Sequence, residues 1–302
     1  MRDDAQDRFV TLPGGTRVCY RIDGDPGDPP ALLLAGLGED LTMWSERFVS
    51  ALVATGFQVI RMDNRDCGRS TYAITPPPST LRQLLARPRP DAYTLADMAA
   101  DAAQLIEHLG RGPAHLIGRS MGGMIAQTVA ARYPALTRSL TSLYSTTGDP
   151  KVGQAAASTI ALIAAPPPRN RVQAVRAHLR MTAHLAGAGF PIDEVEEADH
   201  AVQTWDRTAG DVAAGTARQV QAIQASGDRT AEITRITAPT LVINGDRDPI
   251  VAPSGGTATA AAIPHARHVV IPGMGHHLPD ALALLVADHV VGHLERASVC
   301  PS

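Results

Sequence analysis

The sequence predicts an α/β fold built on a mostly parallel central sheet, and three observations carry that expectation. Short apolar runs alternate with longer segments of helical period, the rhythm of strands joined by crossover helices. That rhythm breaks after about residue 147 and returns near residue 238, which suggests one core interrupted by an insertion. The chain has 302 residues, 44% of them hydrophobic, enough to bury a large core with an insertion on top.

Taken in order, "RFVTL" (8–12) and "RVCYRI" (17–22) flank a Pro-Gly-Gly turn and read as an antiparallel hairpin. "ALLLAG" (31–36) reads as a buried strand, "WSERFVSALVATG" as a helix closed by Gly56, and "FQVIRMD" (57–63) as the next strand. The unit repeats through the amphipathic "LADMAADAAQLIEHLG", ending at Gly110, then "AHLIG" as strand, "MGGMIAQTVAARYP" as helix and "LTSLYST" (140–146) as strand. Residues 73–93 carry "TPPPS" and "RPRPD" and are expected to run as an extended loop near a site mouth. Residues 148–232 are Ala-rich and helical in pattern, with no convincing strand. They are expected to form a helical cap over a core made of 1–147 and 233–302. In the second part of that core, "APTLVINGD" (238–246) and "ARHVVIPG" (266–273) are strands, "SGGTATAAAIP" lies between them as a helix, and a last helix runs from about Pro279 to Arg296.

Composition narrows the function. The 27 basic and 30 acidic residues nearly cancel and form no basic stripe, so nucleic acid is not an expected partner. The charged start "MRDDAQDRFV" lacks the apolar core of a secretory signal, and no run approaches the roughly 18 apolar residues of a membrane span. A soluble, cytoplasmic protein without a membrane partner is expected; oligomeric state is left open. Cys19, Cys67 and Cys300 are scattered without metal-ligand spacing and read as ordinary thiols. No metal or other cofactor is called for.

The chemistry centres on "GRSMG" (118–122), a G-x-S-x-G pentapeptide between a strand and a helix. Glycines at 118 and 122 let strand and helix approach while Ser120 takes a strained conformation that presents its hydroxyl, as a nucleophile needs to do and a capping serine does not. The Met121 amide, at the positive end of the helix, can donate to an oxyanion. Serine needs a base, and the base an acid. The expected chain order puts the acid after a late strand and the histidine after the last one. "LVINGDRDPIV" offers Asp246 and Asp248; Asp248 is favoured because it stands further round the turn, Asp246 being suited to bonding its own turn. "PGMGHHLP" offers His276 and His277; its glycines favour His276, with His277 as a neighbour suited to capping the final helix. In "LAGLGED", Gly36 and Gly38 flank Leu37, whose amide can supply the second oxyanion donor. The cluster "DNRDCGRST" reads chiefly as a loop lock made by Asp63, Arg65, Asp66 and Arg69.

These stretches, "LLLAGLG", "VIRMDNRDCGRST", "HLIGRSMGG", "PTLVINGDRDPI" and "ARHVVIPGMGHHLP", resemble in order those of the α/β-hydrolase superfamily. Within it, "DNRDCGRST" and "IPGMGHHLP" lean toward the aclacinomycin methylesterase group and related serine esterases. The resemblance spans nearly the whole chain, the insertion matching loosely. It implies the α/β-hydrolase fold, with Ser120, Asp248 and His276 as triad and Leu37 and Met121 as oxyanion amides. The implied substrate is a small-molecule ester, a methyl or similar ester of a hydrophobic, polyketide-like compound. Many superfamily members carry His-Gly where this chain has Ala35-Gly36, which weakens an analogy with epoxide hydrolases more than one with esterases. Those enzymes and haloalkane dehalogenases use an aspartate where Ser120 stands. A lactonase, a cofactor-free haloperoxidase, or a non-hydrolytic member acting as a cyclase or ligand receptor are the alternatives.

Overall fold

A computed structural model describes residues 6–299. The hairpin forms as expected: β1 (Arg8–Thr11) pairs antiparallel with β2 (Arg17–Asp23), and the Gly15 N–H donates to Leu12 O at 2.8 Å across the turn. Six further strands follow: β3 (Pro30–Leu34), β4 (Gln58–Met62), β5 (Ala114–Arg119), β6 (Thr137–Leu143), β7 (Thr240–Gly245) and β8 (Arg267–Ile271). All eight join one sheet in the order β1-β2-β4-β3-β5-β6-β7-β8, parallel from β4 onward.

Helices cover both faces. α1 (Glu46–Ala54) starts where Ser45 accepts from the Phe48 N–H. The next, α2 (Thr80–Leu84), is a single short turn with Ser79 as its cap. α3 (Leu95–Leu109) opens on a reciprocal Thr94–Asp97 capping box and closes at Gly110 in the left-handed region, as its sequence signals. α4 (Met121–Arg132) follows β5 directly. Between β6 and β7 the chain makes α5 (Ala157–Ile163), α6 (Arg171–Leu185), α7 (Glu194–Arg207), α8 (Val212–Ser226) and α9 (Thr230–Ile233), with no strand among the described residues there. α10 (Pro253–Ala262) and α11 (Asp280–Val299) complete the order.

Every residue of β3, β4, β5 and β7 is buried, as strands covered on both faces must be. Alternation sorts their side chains into two cores. Leu32, Leu34, Ile60, Met62 and Leu116 pack with α3 and α4 on one side, while Ala31, Leu33, Val59 and Ile117 pack with α1 and α11 on the other.

Two expectations need correction. β6 begins at Thr137 rather than Leu140 and ends at Leu143, because Tyr144 takes a φ of 35° that breaks the extended run. Two of its serines find partners inside the core: Ser139 Oγ lies 2.8 Å from His115 Nδ1, and Ser142 Oγ accepts from Gln127 Nε2 at 3.0 Å. The proline-rich segment 73–93 is not a continuous extended loop, since α2 forms where "STLRQL" is free of proline and Ser79 caps it. That segment lies against α8, with Arg218 Nη1 on Thr75 O at 3.1 Å and Gln224 Nε2 on Gln83 O at 2.8 Å.

The connection leaving β3 goes one way along the sheet, to β4, and the one leaving β5 goes the other, to β6. β3 and β5 are neighbours, with Leu34 opposite Gly118. Their carboxyl ends therefore flank the point where strand order reverses, where open sheets hold their ligands.

Candidate active site

Ser120 sits at that point, between the last residue of β5 and the first of α4. Its φ of 53° and ψ of −121° are strained for any residue with a Cβ, and the surroundings over-determine them. The Ser120 N–H donates to Leu143 O at 2.9 Å, and its carbonyl accepts from Gly123 N–H at 2.9 Å and from Ser145 Oγ–H at 2.8 Å. Glycine is required on both flanks: a methyl on Gly118 would overlap the Gly122 carbonyl, and one on Gly122 would overlap the carbonyls of Leu34 and Ala35. The result is a half-buried serine whose hydroxyl stands clear of the turn.

The loops after β7 and β8 bring the acid and the imidazole to it. Ser120 Oγ lies 2.9 Å from His276 Nε2, and His276 Nδ1 lies 2.6 Å from Asp248 Oδ2. The other Asp248 oxygen is occupied by its own turn, accepting from Ile250 N–H at 2.9 Å and Val251 N–H at 2.8 Å. His276 is fixed at its backbone by Leu185 O, 2.6 Å from its N–H at the end of α6, and its ring meets the edge of Tyr144 at 4.8 Å between centroids.

Asp246 is in a different position from the one expected. It reaches across to accept from the Gly273 N–H at 2.7 Å, and it is Asp248 that bonds its own turn. His277 does not cap the final helix. Its Nε2 lies 2.6 Å from Glu197 Oε1, and His178 Nε2 lies 2.7 Å from the other oxygen of that carboxylate. Burial opposes the Glu197 charge, but hydrogen bonds from His178 and His277 outweigh it and hold the carboxyl well below the usual range. His184 is bonded to Thr159 Oγ1 at 2.8 Å.

Leu37 follows Gly36, at which a methyl would come within 3.3 Å of Ser120 Cβ, so its loop runs beside the serine. Among the described residues no acceptor takes the Leu37 N–H. Met121 is the first residue of α4, so its N–H has no acceptor one turn back. Met43, in the 3-10 turn Leu41–Met43, and Met181 and Trp205, in α6 and α7, are half-buried.

The "DNRDCGRST" loop ties distant elements to the core. Asp66 accepts from Arg218 of α8 at 2.6 and 2.9 Å and from Tyr93 Oη–H at 2.8 Å, and Arg65 pairs with Asp101 of α3 at 2.6 Å. Asp63 is fully buried and accepts from Leu41 N–H and Arg69 N–H, each at 2.8 Å. Burial and the nearby Asp40 push the Asp63 carboxyl up to about 6. Cys19 and Cys67 are buried free thiols, raised in pKa by that burial; Cys300 lies outside the described residues.

Sequence reasoning missed Arg119, treated as the variable residue of G-x-S-x-G. It is buried, with Nη1 on Met43 O at 3.1 Å and Nη2 on Glu39 Oε1 at 2.9 Å, and its guanidinium carbon lies 5.6 Å from the Tyr144 ring centroid and 5.8 Å from that of Trp44. Burial works against its charge, but Glu39 beside it more than compensates and its pKa is raised. The sequence holds a signal for it, an arginine in the last position of a short, mostly apolar strand that leads straight into the serine turn.

A model of the alpha/beta hydrolase fold family matches residues 29–164 and 186–280, and the chain belongs to that family. It is 30% identical over 305 residues to rhodomycin D methylesterase DnrP of Streptomyces peucetius, covering 91% of this chain and 94% of that protein. It is 30% identical over 235 residues to a putative carbamate hydrolase, RutD, of Variovorax paradoxus, covering 77% and 79%. Among solved structures it is similar to the enol-lactonase from Burkholderia xenovorans LB400, with a TM-score of 0.71 at 26% identity, covering 95% of this chain and all of that one. Among the described residues, no helix is long and apolar enough to cross a membrane.

Proposed function

We propose that this protein is a serine hydrolase that cleaves a carboxylic ester of a hydrophobic small molecule, a methyl ester or one of similar size. The observation that carries the reaction is the unbroken relay from Ser120 Oγ through His276 to Asp248, at 2.9 and 2.6 Å. His276 holds its proton on Nδ1, donating to the Asp248 carboxylate, which leaves Nε2 as the base. Nε2 takes the serine proton as Oγ attacks the ester carbonyl. The N–H groups of Leu37 and Met121 receive the oxyanion, and the alcohol departs with the proton from Nε2. Water, deprotonated by the same nitrogen, attacks the acyl-enzyme carbonyl; Ser120 leaves as the alcohol and the free carboxylic acid is released.

The substrate side rests on the likeness to rhodomycin D methylesterase. Residues 148–232 serve as a cap above the strand ends, a place that lets their helices line the pocket for the acyl group. The reaction needs no metal or cofactor.

The test is a panel of methyl esters of polycyclic acids, short aryl esters and lactones, run on wild type and on Ser120→Ala, with a fluorophosphonate label in parallel. Methyl esters are expected to turn over best, the label to land on Ser120, and Ser120→Ala to lose about 10⁶ in turnover. Ester hydrolysis by Ser120→Ala within about tenfold of wild type would end the mechanism. Preference for lactones would move the substrate class and keep the chemistry.

A further inference from the structure

Three consecutive amides, those of Gly36, Leu37 and Gly38, pass beside Ser120, and side chains occupy the outer two. The Gly36 N–H donates to Glu39 Oε2 at 2.7 Å, and the other oxygen of that carboxylate is held by Arg119 Nη2 at 2.9 Å. The Gly38 N–H donates to Gln219 Oε1 at 2.8 Å, across 181 residues of chain. Gln219 is itself fixed, because its Nε2 donates to Arg65 O at 2.8 Å and the residue is 0% exposed.

We propose that Glu39 and Gln219 are positioning residues that clamp this loop, so that of its three amides only the Leu37 N–H is left to meet the oxyanion. This deepens the serine-hydrolase reading above and rests on it. The two partners act differently. Gln219 is neutral and reaches the loop from α8, so the oxyanion geometry depends on that helix being seated. Glu39 brings a negative charge close to where another develops in the reaction, which on its own would oppose the transition state. Arg119 answers that charge from inside the protein, and this gives the buried guanidinium beside the nucleophile its role.

A donor aimed wrongly by a fraction of an ångström loses most of its value in the transition state while ground-state binding barely changes. Gln219→Met keeps the bulk of the side chain and removes the acceptor. It is expected to lower kcat by about 10- to 100-fold with KM within about threefold, that is, up to the roughly 10²-fold cost of losing one oxyanion donor. A trifluoromethyl ketone, whose adduct with the serine carries the oxyanion, is expected to bind more weakly by the same factor as kcat/KM falls. Glu39→Gln, which keeps an oxygen for the Gly36 N–H, is expected to lose less than Glu39→Leu. This second pair of variants carries the test if Gln219→Met does not fold.

Unchanged kcat in Gln219→Met and Glu39→Leu, or a loss confined to KM or to the unfolding midpoint, would overturn the clamp and leave the serine mechanism intact. A wild-type protein that hydrolyses no ester and takes no label at Ser120 would overturn both.

Discussion

Asp246 and Asp248 stand two residues apart after β7, and their surroundings give them different roles. The Asp246 side chain is 41% exposed and holds one backbone N–H, that of Gly273, so it ties the turn after β7 to the turn after β8. The Asp248 side chain is fully buried and both its oxygens are used, one by its own turn and one by His276. Replacing the latter carboxylate by an amide removes the acceptor that selects the Nδ1–H form of the imidazole. The proposed triad therefore predicts that Asp248→Asn lowers kcat about 10⁴-fold, the loss that the same change causes in known serine triads. Asp246→Asn keeps an oxygen for Gly273 and is expected to stay within about tenfold of wild type, a scale set by the loss of one exposed hydrogen bond of roughly 1 kcal/mol. Steady-state kinetics on the two variants decide between the acids that the sequence offered, and the opposite order would reassign the role to Asp246.

At the scale of elements, the junction between α7 and the strand ends turns on Arg207. Its guanidinium lies 3.0 Å from Asp40, 2.8 Å from Asp63 and 3.1 Å from Asp7, all within buried surroundings. Burial opposes the Arg207 charge, and the three carboxylates raise its pKa in spite of it. Removing one member of such a set costs more than the set contributes, because the remaining charges are left buried and unpaired. Arg207→Met is expected to destabilise the protein by about 3–5 kcal/mol in urea unfolding at neutral pH. The deficit should shrink as the pH is lowered and the carboxylates protonate; a deficit under about 1 kcal/mol at neutral pH would contradict this account. The same junction shows where sequence reasoning ends. The elbow at Ser120 was legible because its cause is local: two glycines, a strand and a helix within a dozen residues. The strands were legible where burial on both faces makes them uniformly apolar, as in β3, and misjudged in β6, whose Ser139 and Ser142 are buried polar residues with partners on other elements. Arg207, Gln219 and Glu197 were not legible at all, since each is an ordinary polar residue on a helix whose meaning comes from a partner 80 to 200 residues away.

Across the whole molecule, two buried histidines link stability to pH. His115, in β5, is fully buried against Phe57 and Ser139, and His293, in α11, bonds Leu140 O at 3.2 Å. Burial pushes their pKa values down from 6.5, to about 3 for His115 and about 4 for His293. In the unfolded chain both take a proton near pH 6.5, while in the folded protein neither does until far lower. Their contribution is therefore complete above pH 6.5 and is lost as the pH falls, at about 1.4 kcal/mol per unit for each. Asp63 works the other way: with its folded carboxyl raised to about 6, the folded state takes up a proton first and gains stability on acidification. Between pH 7.5 and 5 the histidines remove about 4 kcal/mol and Asp63 returns about 1, so the histidines win. That net loss of about 3 kcal/mol is a large share of the roughly 5–15 kcal/mol that holds a typical protein folded. Urea unfolding at pH 7.5 and pH 5 is expected to show it. In His115→Asn/His293→Gln, chosen to keep one hydrogen bond at each site, the difference between the two pH values should shrink, with His200 and His268, whose pKa values burial also lowers, keeping part of it. Equal pH dependence in the double variant and the wild type would mean that other groups govern acid unfolding, and that the buried imidazoles take up their protons without leaving the fold.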